Sequence, residues 1–217
     1  MSALPSTDSA IQPVMGDTAA RRAVDALAAA VGLVASSPLL AAIGLAVRLD
    51  SPGPALFRQV RVGVDGTPFM MYKFRTMVVD AESVGPAVSG NADPRVTRVG
   101  ALLRKTKLDE LPQLLNVLRG DMTLIGPRAE VAKYVAHYSP EELQTLQVRP
   151  GVTGPGGIWF TVCQAAELDA SADPEKVYIT EQLPEKLALD LEYLRNRTLW
   201  QDLKILFRTV AVSFRRD

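Results

Sequence analysis

The chain has 217 residues, with 24 Lys and Arg against 24 Asp and Glu, one Cys and one His. That length fits one domain of ordinary size with a membrane element beside it. Zero net charge gives no field to draw nucleic acid, Cys163 alone excludes an internal disulfide, and His137 alone argues against a histidine-ligated metal centre.

Residues 1–19, rich in Ser, Pro, Ala and Asp without period, read as a mobile tail. Arg21-Arg22 then lead into an apolar stretch in which Ala26 to Val47, 22 residues, carry no charge. As one straight helix this would run roughly 33 Å, enough to cross a bilayer core. Pro38 interrupts it. A proline lacks the N–H that would bond residue 34, and Ser37 can cap a new helix with Pro38 as its first residue. Two arrangements therefore fit residues 20–50. One is a re-entrant hairpin broken at Ser37-Pro38, with the basic flanks Arg21-Arg22 and Arg48 both on the cytoplasmic side. The other is a proline-kinked spanning helix.

Ser51-Pro52-Gly53-Pro54 is a linker, and residues 51–217 form the remaining unit. Ala55–Val62 and Pro68–Arg75 flank Asp65-Gly66 as a β-hairpin. Residues 83–92 have the composition of an exposed loop. Val99–Lys105 is a short amphipathic piece, and Leu111–Leu118 reads as a helix stopped by Gly120. Glu130–His137 and Pro140–Gln147 are further helical segments, the second capped by Ser139. The run Arg149-Pro150-Gly151-Val152-Thr153-Gly154-Pro155-Gly156-Gly157 predicts a turn or loop. From Pro184 to Arg216 the pattern gives one or two helices. There Leu199, Trp200, Leu203, Leu206, Phe207, Val210 and Phe214 recur at helical spacing, fitting a helix on a membrane or one packed on a soluble core. The fold class is α+β, mainly helical.

The chemistry concentrates in Lys107-Leu108-Asp109-Glu110-Leu111-Pro112. Between residues 94 and 108 stand Arg95, Arg98, Arg104, Lys105 and Lys107 and no acid; Arg119, Arg128 and Arg149 follow the pair. A carboxylate pair ringed by cations suits work on phosphates, with a metal held by one acid. Asp109 also reads as a plain helix N-cap, a role compatible with staying ionised. Lys73 and Arg75, two apart, would share one face of a strand. Arg128 after Gly126-Pro127, and Arg149 before Pro150, are presented by turns. Guanidinium forks at such places grip phosphate oxygens at two points. A non-catalytic module that binds anionic lipid through the basic run would explain the cations and the apolar stretch, but not two acids at their centre.

Three blocks carry a resemblance. They are Met71-Tyr72-Lys73-Phe74-Arg75-Thr76-Met77, Asp93-Pro94-Arg95-Val96-Thr97-Arg98-Val99-Gly100, and Leu108 to Arg128 followed by Arg149-Pro150-Gly151-Val152-Thr153-Gly154. From about Arg21 onward the chain resembles the bacterial sugar transferases, small monotopic phosphoglycosyl transferases. The resemblance implies transfer of sugar 1-phosphate from a nucleotide-diphosphate sugar, expected to be a UDP-sugar, to polyprenyl phosphate at the cytoplasmic face of the bacterial inner membrane. It implies Asp109 as nucleophile and carrier of a phosphosugar adduct, Glu110 as ligand of Mg²⁺, and Lys73, Arg75, Arg104, Arg128 and Arg149 as phosphate-binding residues. It also implies the re-entrant helix, with its break at Ser37-Pro38. Assembly into homo-oligomers is compatible with the family. Lys107 departs from its pattern, standing where relatives usually carry a small residue; Ala129 and residues 157–172 depart as well, which leaves the donor sugar open.

Overall fold

The protein is described here by a computed structural model covering residues 14–83, 85, 93–164 and 171–213. Residues 1–13 of the expected tail, most of the expected loop at 83–92, the side chain of Cys163 and everything from Phe214 onward lie outside these. The fold is mainly helical with two small sheets.

Helix α1 runs from Ala19 to Asp50, and the Thr18 hydroxyl caps it by accepting from the Arg21 N–H at 3.2 Å. Where the resemblance implies a break at Ser37-Pro38, the backbone stays one helix of 32 residues with Pro38 inside it. Side chains supply the reason. The Val34 carbonyl, which Pro38 cannot serve, accepts from Ser37 Oγ at 2.8 Å, and Ser36 Oγ donates to Gly32 O at 2.6 Å. The Ser37 hydroxyl thus re-satisfies the one carbonyl that proline strips of its donor.

One face of α1 is packed along both halves. Ala29 is buried against Met71, Val117 and Met122; Ile43 and Val47 are buried against Phe74 and Leu103. The opposite face exposes Val24, Leu27, Val31, Val34, Leu45 and Leu49. Two charges near the start of α1 are spent on the domain. Arg22 donates to Val117 O and Leu118 O, both at 2.7 Å, and Asp25 accepts from Thr123 Oγ1 at 2.5 Å. The residues just before the helix are docked too: the Met15 N–H donates to Leu194 O at 3.1 Å, and Asp17 pairs with Arg149 and Arg197.

Strands β1 (Leu56–Val62) and β2 (Pro68–Phe74) form the expected antiparallel hairpin, in a register that sets Phe57 opposite Lys73 and Arg61 opposite Phe69. Asp65 and Gly66 both take positive φ in the turn. Helix α2 (Arg98–Thr106) is followed by a 3₁₀ segment, Leu108–Gln113, and by α3 (Leu114–Arg119), which Gly120 ends at φ 95°. Asn116, at the centre of α3, sutures the free edge of β2: its Nδ2 donates to Met70 O at 2.7 Å and its Oδ1 accepts from the Tyr72 N–H at 3.1 Å.

The glycine-rich run expected to be irregular contains regular structure. Gly151–Thr153 is strand β4, parallel to β3 (Thr123–Ile125), and Pro155–Trp159 is a short helix, here α5. Glycine permits this rather than preventing it. A Cβ on Gly151 would lie 2.2 Å from Gly126 N, so only a bare backbone can approach so closely. Helix α4 (Ala132–Val135) is shorter than its sequence segment, while Ser139 and Glu142 form the reciprocal cap of the next 3₁₀ turn. Helices α6 (Pro174–Val177), α7 (Leu183–Arg195) and α8 (Leu199–Ser213) complete the chain. The Arg21–Asp202 ion pair ties α8 to the start of α1.

Candidate active site

The site forms where α2 stops. Lys107 takes a left-handed conformation (φ 58°, ψ 14°), and the chain turns directly into the 3₁₀ segment with Asp109 and Glu110 in its first turn. Asp109 is therefore not the N-cap that its local pattern allows. The residue is 7% exposed, and its Oδ1 is buried with no hydrogen-bond partner. Burial, and secondarily the charge of Glu110, lift its pKa to about 6 against the pull of Lys73, Lys107 and Arg128.

Its neighbour is in the opposite state. Burial would raise Glu110 too, but the Arg128 guanidinium holds it below the usual carboxylate range. The grip is a two-point fork, Nη2 to Oε1 at 2.5 Å and Nη1 to Oε2 at 3.2 Å. Two adjacent acids are thus split into one paired anion and one poised near neutrality, the separation expected of groups with different tasks.

Three more cations from the sequence reading reach this place. Lys73 extends from β2 with its ammonium 4.9 Å from the Phe57 ring centroid; burial and the nearby Arg61 charge lower it to about 8, while Asp109 opposes. Arg104 from α2 donates Nε to Thr76 Oγ1 at 3.0 Å and feels Asp109; burial lowers it. Lys107 donates to Thr161 Oγ1 at 3.2 Å, and burial lowers it against the charge of Glu110.

Two expected phosphate-binding residues are elsewhere. Arg75 lies past the end of β2 and is buried. Its guanidinium donates to Pro54 O at 2.8 Å, Ser51 Oγ at 2.6 Å and Ser51 O at 2.9 Å, clamping the exit from α1. Arg149 donates to Gly120 O at 2.8 Å and pairs with Asp17 at 3.1 Å, holding the entry to α1. Both therefore brace the two ends of α1.

Sequence reasoning missed Arg61, Glu130, Lys186 and Asp190. Arg61 shares the Lys73 face of the hairpin and donates to Ala129 O at 3.0 Å and Glu130 Oε2 at 3.3 Å. Glu130 also takes the Lys186 ammonium and the Tyr178 hydroxyl, the latter at 2.6 Å. Asp190, wholly buried on α7, accepts from the Gly156 N–H at 2.9 Å and from the Arg128 backbone N–H, and burial raises it to about 6. Glu130 and Asp190 hold the loop carrying Arg128 from both sides. A polar residue inside the apolar period of α7 was the one available signal for Asp190. His137 is exposed.

Among the described residues no group of three or more His, Cys, Asp or Glu gathers round a point that could hold a metal. Asp109 and Glu110 remain as a two-carboxylate set, with the orphaned Oδ1 of Asp109 beside them. That set fits Mg²⁺, which uses one or two carboxylates with waters and substrate phosphates rather than a cage made by the protein.

Residues 16–216 match the family described as bacterial sugar transferase. Among curated relatives, the UDP-glucose:undecaprenyl-phosphate glucose-1-phosphate transferase of Caulobacter vibrioides is 42% identical over 91% of this chain and 70% of its own length. The UDP-N-acetylgalactosamine-undecaprenyl-phosphate N-acetylgalactosaminephosphotransferase of Aeromonas hydrophila is 39% identical over 88% of this chain, which spans only 42% of that protein. The exopolysaccharide production protein PSS of Rhizobium leguminosarum bv. phaseoli is 38% identical over 92% of this chain and 98% of its own. With a match along nearly its whole length, the chain belongs to the bacterial sugar transferase family of transferase enzymes.

Proposed function

We propose that the protein transfers a sugar 1-phosphate from a UDP-sugar to undecaprenyl phosphate through a covalent adduct on Asp109. The observation that carries this is the state of Asp109 itself: a buried carboxylate with an unpartnered oxygen, ringed by Lys73, Arg104, Lys107 and Arg128. Asp190 also has a buried oxygen without a partner, but it lies near one cation, Lys186; the ring of four cations is what sets Asp109 apart, with a lone pair kept in reserve for attack. The names of the relatives supply the substrates.

In the first half-reaction an Asp109 oxygen attacks the β-phosphorus of the donor. The new O–P bond forms as the bond to the α-phosphate oxygen breaks, and UMP leaves with that electron pair. In the second, an oxygen of the lipid phosphate attacks the same phosphorus and the carboxylate is released. Lys73 and Arg104 neutralise the phosphoryl oxygens, where charge builds in the transition state. Glu110, with Asp109 beside it, would hold Mg²⁺. When bound, the ion neutralises the diphosphate and stabilises the leaving UMP. Arg128 occupies both Glu110 oxygens in the fork, and it is placed to pass to a donor phosphate as one of them is claimed.

The packing of α1 supports a reading of the membrane arrangement. Both of its halves pack on the same domain, and an apolar stripe runs along its outer face across Pro38. A helix that crossed the bilayer would carry one end away from a domain at one surface. We read α1 as held at one leaflet with both ends on the cytoplasmic side, beside α8, whose Leu199, Trp200, Leu203, Leu206, Phe207 and Val210 are exposed. Labelling of residues near Asp17 and Ser51 from each side of inverted vesicles tests this; opposite accessibility of the two would establish a spanning helix.

Intact-mass measurement after exposure to a UDP-sugar without acceptor tests the chemistry. The wild type is expected to gain the mass of a hexose phosphate less water. Asp109→Asn is expected to stay folded, gain nothing and turn over nothing. Full activity in that variant removes Asp109 as nucleophile. Release of UMP also separates this reading from a lipid-binding module, which releases none.

A further inference from the structure

Lys107 stands two residues before Asp109 in a backbone conformation that penalises any residue with a Cβ and that glycine adopts freely (φ 58°, ψ 14°). The backbone makes no demand for lysine: its N–H donates to Arg104 O at 3.3 Å, as any residue's would. The side chain, by contrast, turns into the site. Its ammonium, half-buried beside Glu110 and Asp109, donates to Thr161 Oγ1 at 3.2 Å. Thr161 donates its own proton to Gly157 O at 3.0 Å.

The hydrogen-bond inventory of this pair is specific. Thr161 Oγ1 has given its proton away and accepts one bond, so a lone pair remains. The ammonium has three N–H bonds, and one goes to Thr161. Side by side the two offer donors and an acceptor. A phosphate oxygen can only accept, and Lys73 and Arg104 already answer that need nearby. A hydroxyl both donates and accepts. With the transferred phosphorus at Asp109, the group bonded to it and reaching past the first turn is the sugar.

We propose that Lys107 and Thr161 read one ring hydroxyl of the donor sugar, the ammonium donating to that oxygen and Thr161 Oγ1 accepting its proton. The pair sets which sugar is transferred. The assignment rests on the transferase reading above, and the experiment separates the two. Initial rates of UMP release are measured with UDP-glucose, UDP-galactose and UDP-N-acetylglucosamine, with undecaprenyl phosphate as acceptor, for the wild type, Lys107→Gly and Thr161→Val. Lys107→Gly relieves the left-handed residue, so its Tm is expected to hold or to rise by about 2–4 °C. Its kcat/KM for the preferred sugar is expected to fall by roughly tenfold or more, with the preference over the other donors collapsing, because a site built around a hydroxyl loses discrimination when one partner goes. Thr161→Val is expected to erode the same preference. Donor ratios that stay as in the wild type overturn the inference, whether all rates are unchanged or all fall together; an equal fall would place Lys107 on the shared diphosphate. A lowered Tm in Lys107→Gly also counts against it, since the lysine would then be there for stability. No UMP from any donor with the wild type overturns the transferase reading itself.

Discussion

In the proposed mechanism Asp109 would attack only as an anion, and Lys73 would hold phosphate only as a cation. Burial moves both toward neutrality, the acid up to about 6 and the ammonium down to about 8. Raising the acid means that more proton must be removed before attack, so kcat/KM for the donor is expected to climb as pH rises through about 6. Lowering the ammonium means that it empties above about 8, and the rate falls again. The expected profile is a bell between these values, reporting the free enzyme. Lys73→Arg keeps its charge throughout and is expected to lose the alkaline limb while keeping the acid one. A rate flat from pH 5 to 7 would remove Asp109 from the role of base-form nucleophile. At this scale the sequence reveals residue type but not destination. That Lys73, Arg104 and Arg128 gather around Asp109 and Glu110 was legible because a run of cations on either side of two acids draws toward them. Arg75 and Arg149 carry the same letters in equally suggestive places, yet Arg75 ends on Ser51 and Pro54 past the end of α1, and Arg149 on the Gly120 carbonyl and the Asp17 carboxylate before its start. Nothing local distinguishes a phosphate from a ring of peptide oxygens as the partner of an arginine.

Elements bring these residues together through a few buried polar side chains. Asn116 gives β2 the neighbour that its outer edge lacks, and so sets Lys73 beside the turn carrying Asp109. Asn116→Ala leaves the Met70 carbonyl and the Tyr72 N–H without partners, and is expected to cost about 2–3 kcal/mol in thermal or denaturant unfolding. Asp190 is the contrasting case. Its folded pKa of about 6 lies above the ordinary 3.8. Its contribution to stability is therefore full below the unfolded value and is lost as pH rises through about 6. Asp190→Asn keeps an oxygen for the Gly156 N–H and carries no charge to bury. Its stability relative to the wild type is expected to increase between pH 4 and 7, by up to about 3 kcal/mol. A difference that does not change over that range would mean that the carboxylate is not buried as an anion. The hairpin and α2 were legible from alternation and charge. Strand β4 was not, because its pairing depends on a contact between Gly151 and Gly126, 25 positions apart, that no local pattern records.

On the proposed function the whole molecule would join a water-soluble donor to a lipid that cannot leave the bilayer, and its two unpacked apolar stripes would mark the height at which this happens. Along α1 the stripe continues past Pro38, while the packed face holds the helix to β2, α2 and α3. On α8, Trp200 and Phe207 are 64% and 68% exposed, and the Arg21–Asp202 pair ties that helix to α1. The uncharged run announced the first stripe and left open a re-entrant or a spanning helix, while helical spacing announced the second and left open a core or a membrane; the packing of the domain on the other faces is what sequence could not supply. Burying a phenylalanine in an apolar medium stabilises by about 2 kcal/mol, so one charged replacement on α8 weakens attachment without touching the reaction site. Phe207→Glu is expected to move the protein measurably from vesicles to the soluble fraction in a flotation assay. The two half-reactions then separate. Formation of the Asp109 adduct from soluble UDP-sugar should proceed at the wild-type rate, because donor and nucleophile both meet on the water side. Transfer to undecaprenyl phosphate embedded in vesicles should fall several-fold, since the lipid phosphate is presented only at the surface that α8 grips. Equal loss of both halves would make α8 a structural prop of the site, and loss of neither would take it off the membrane.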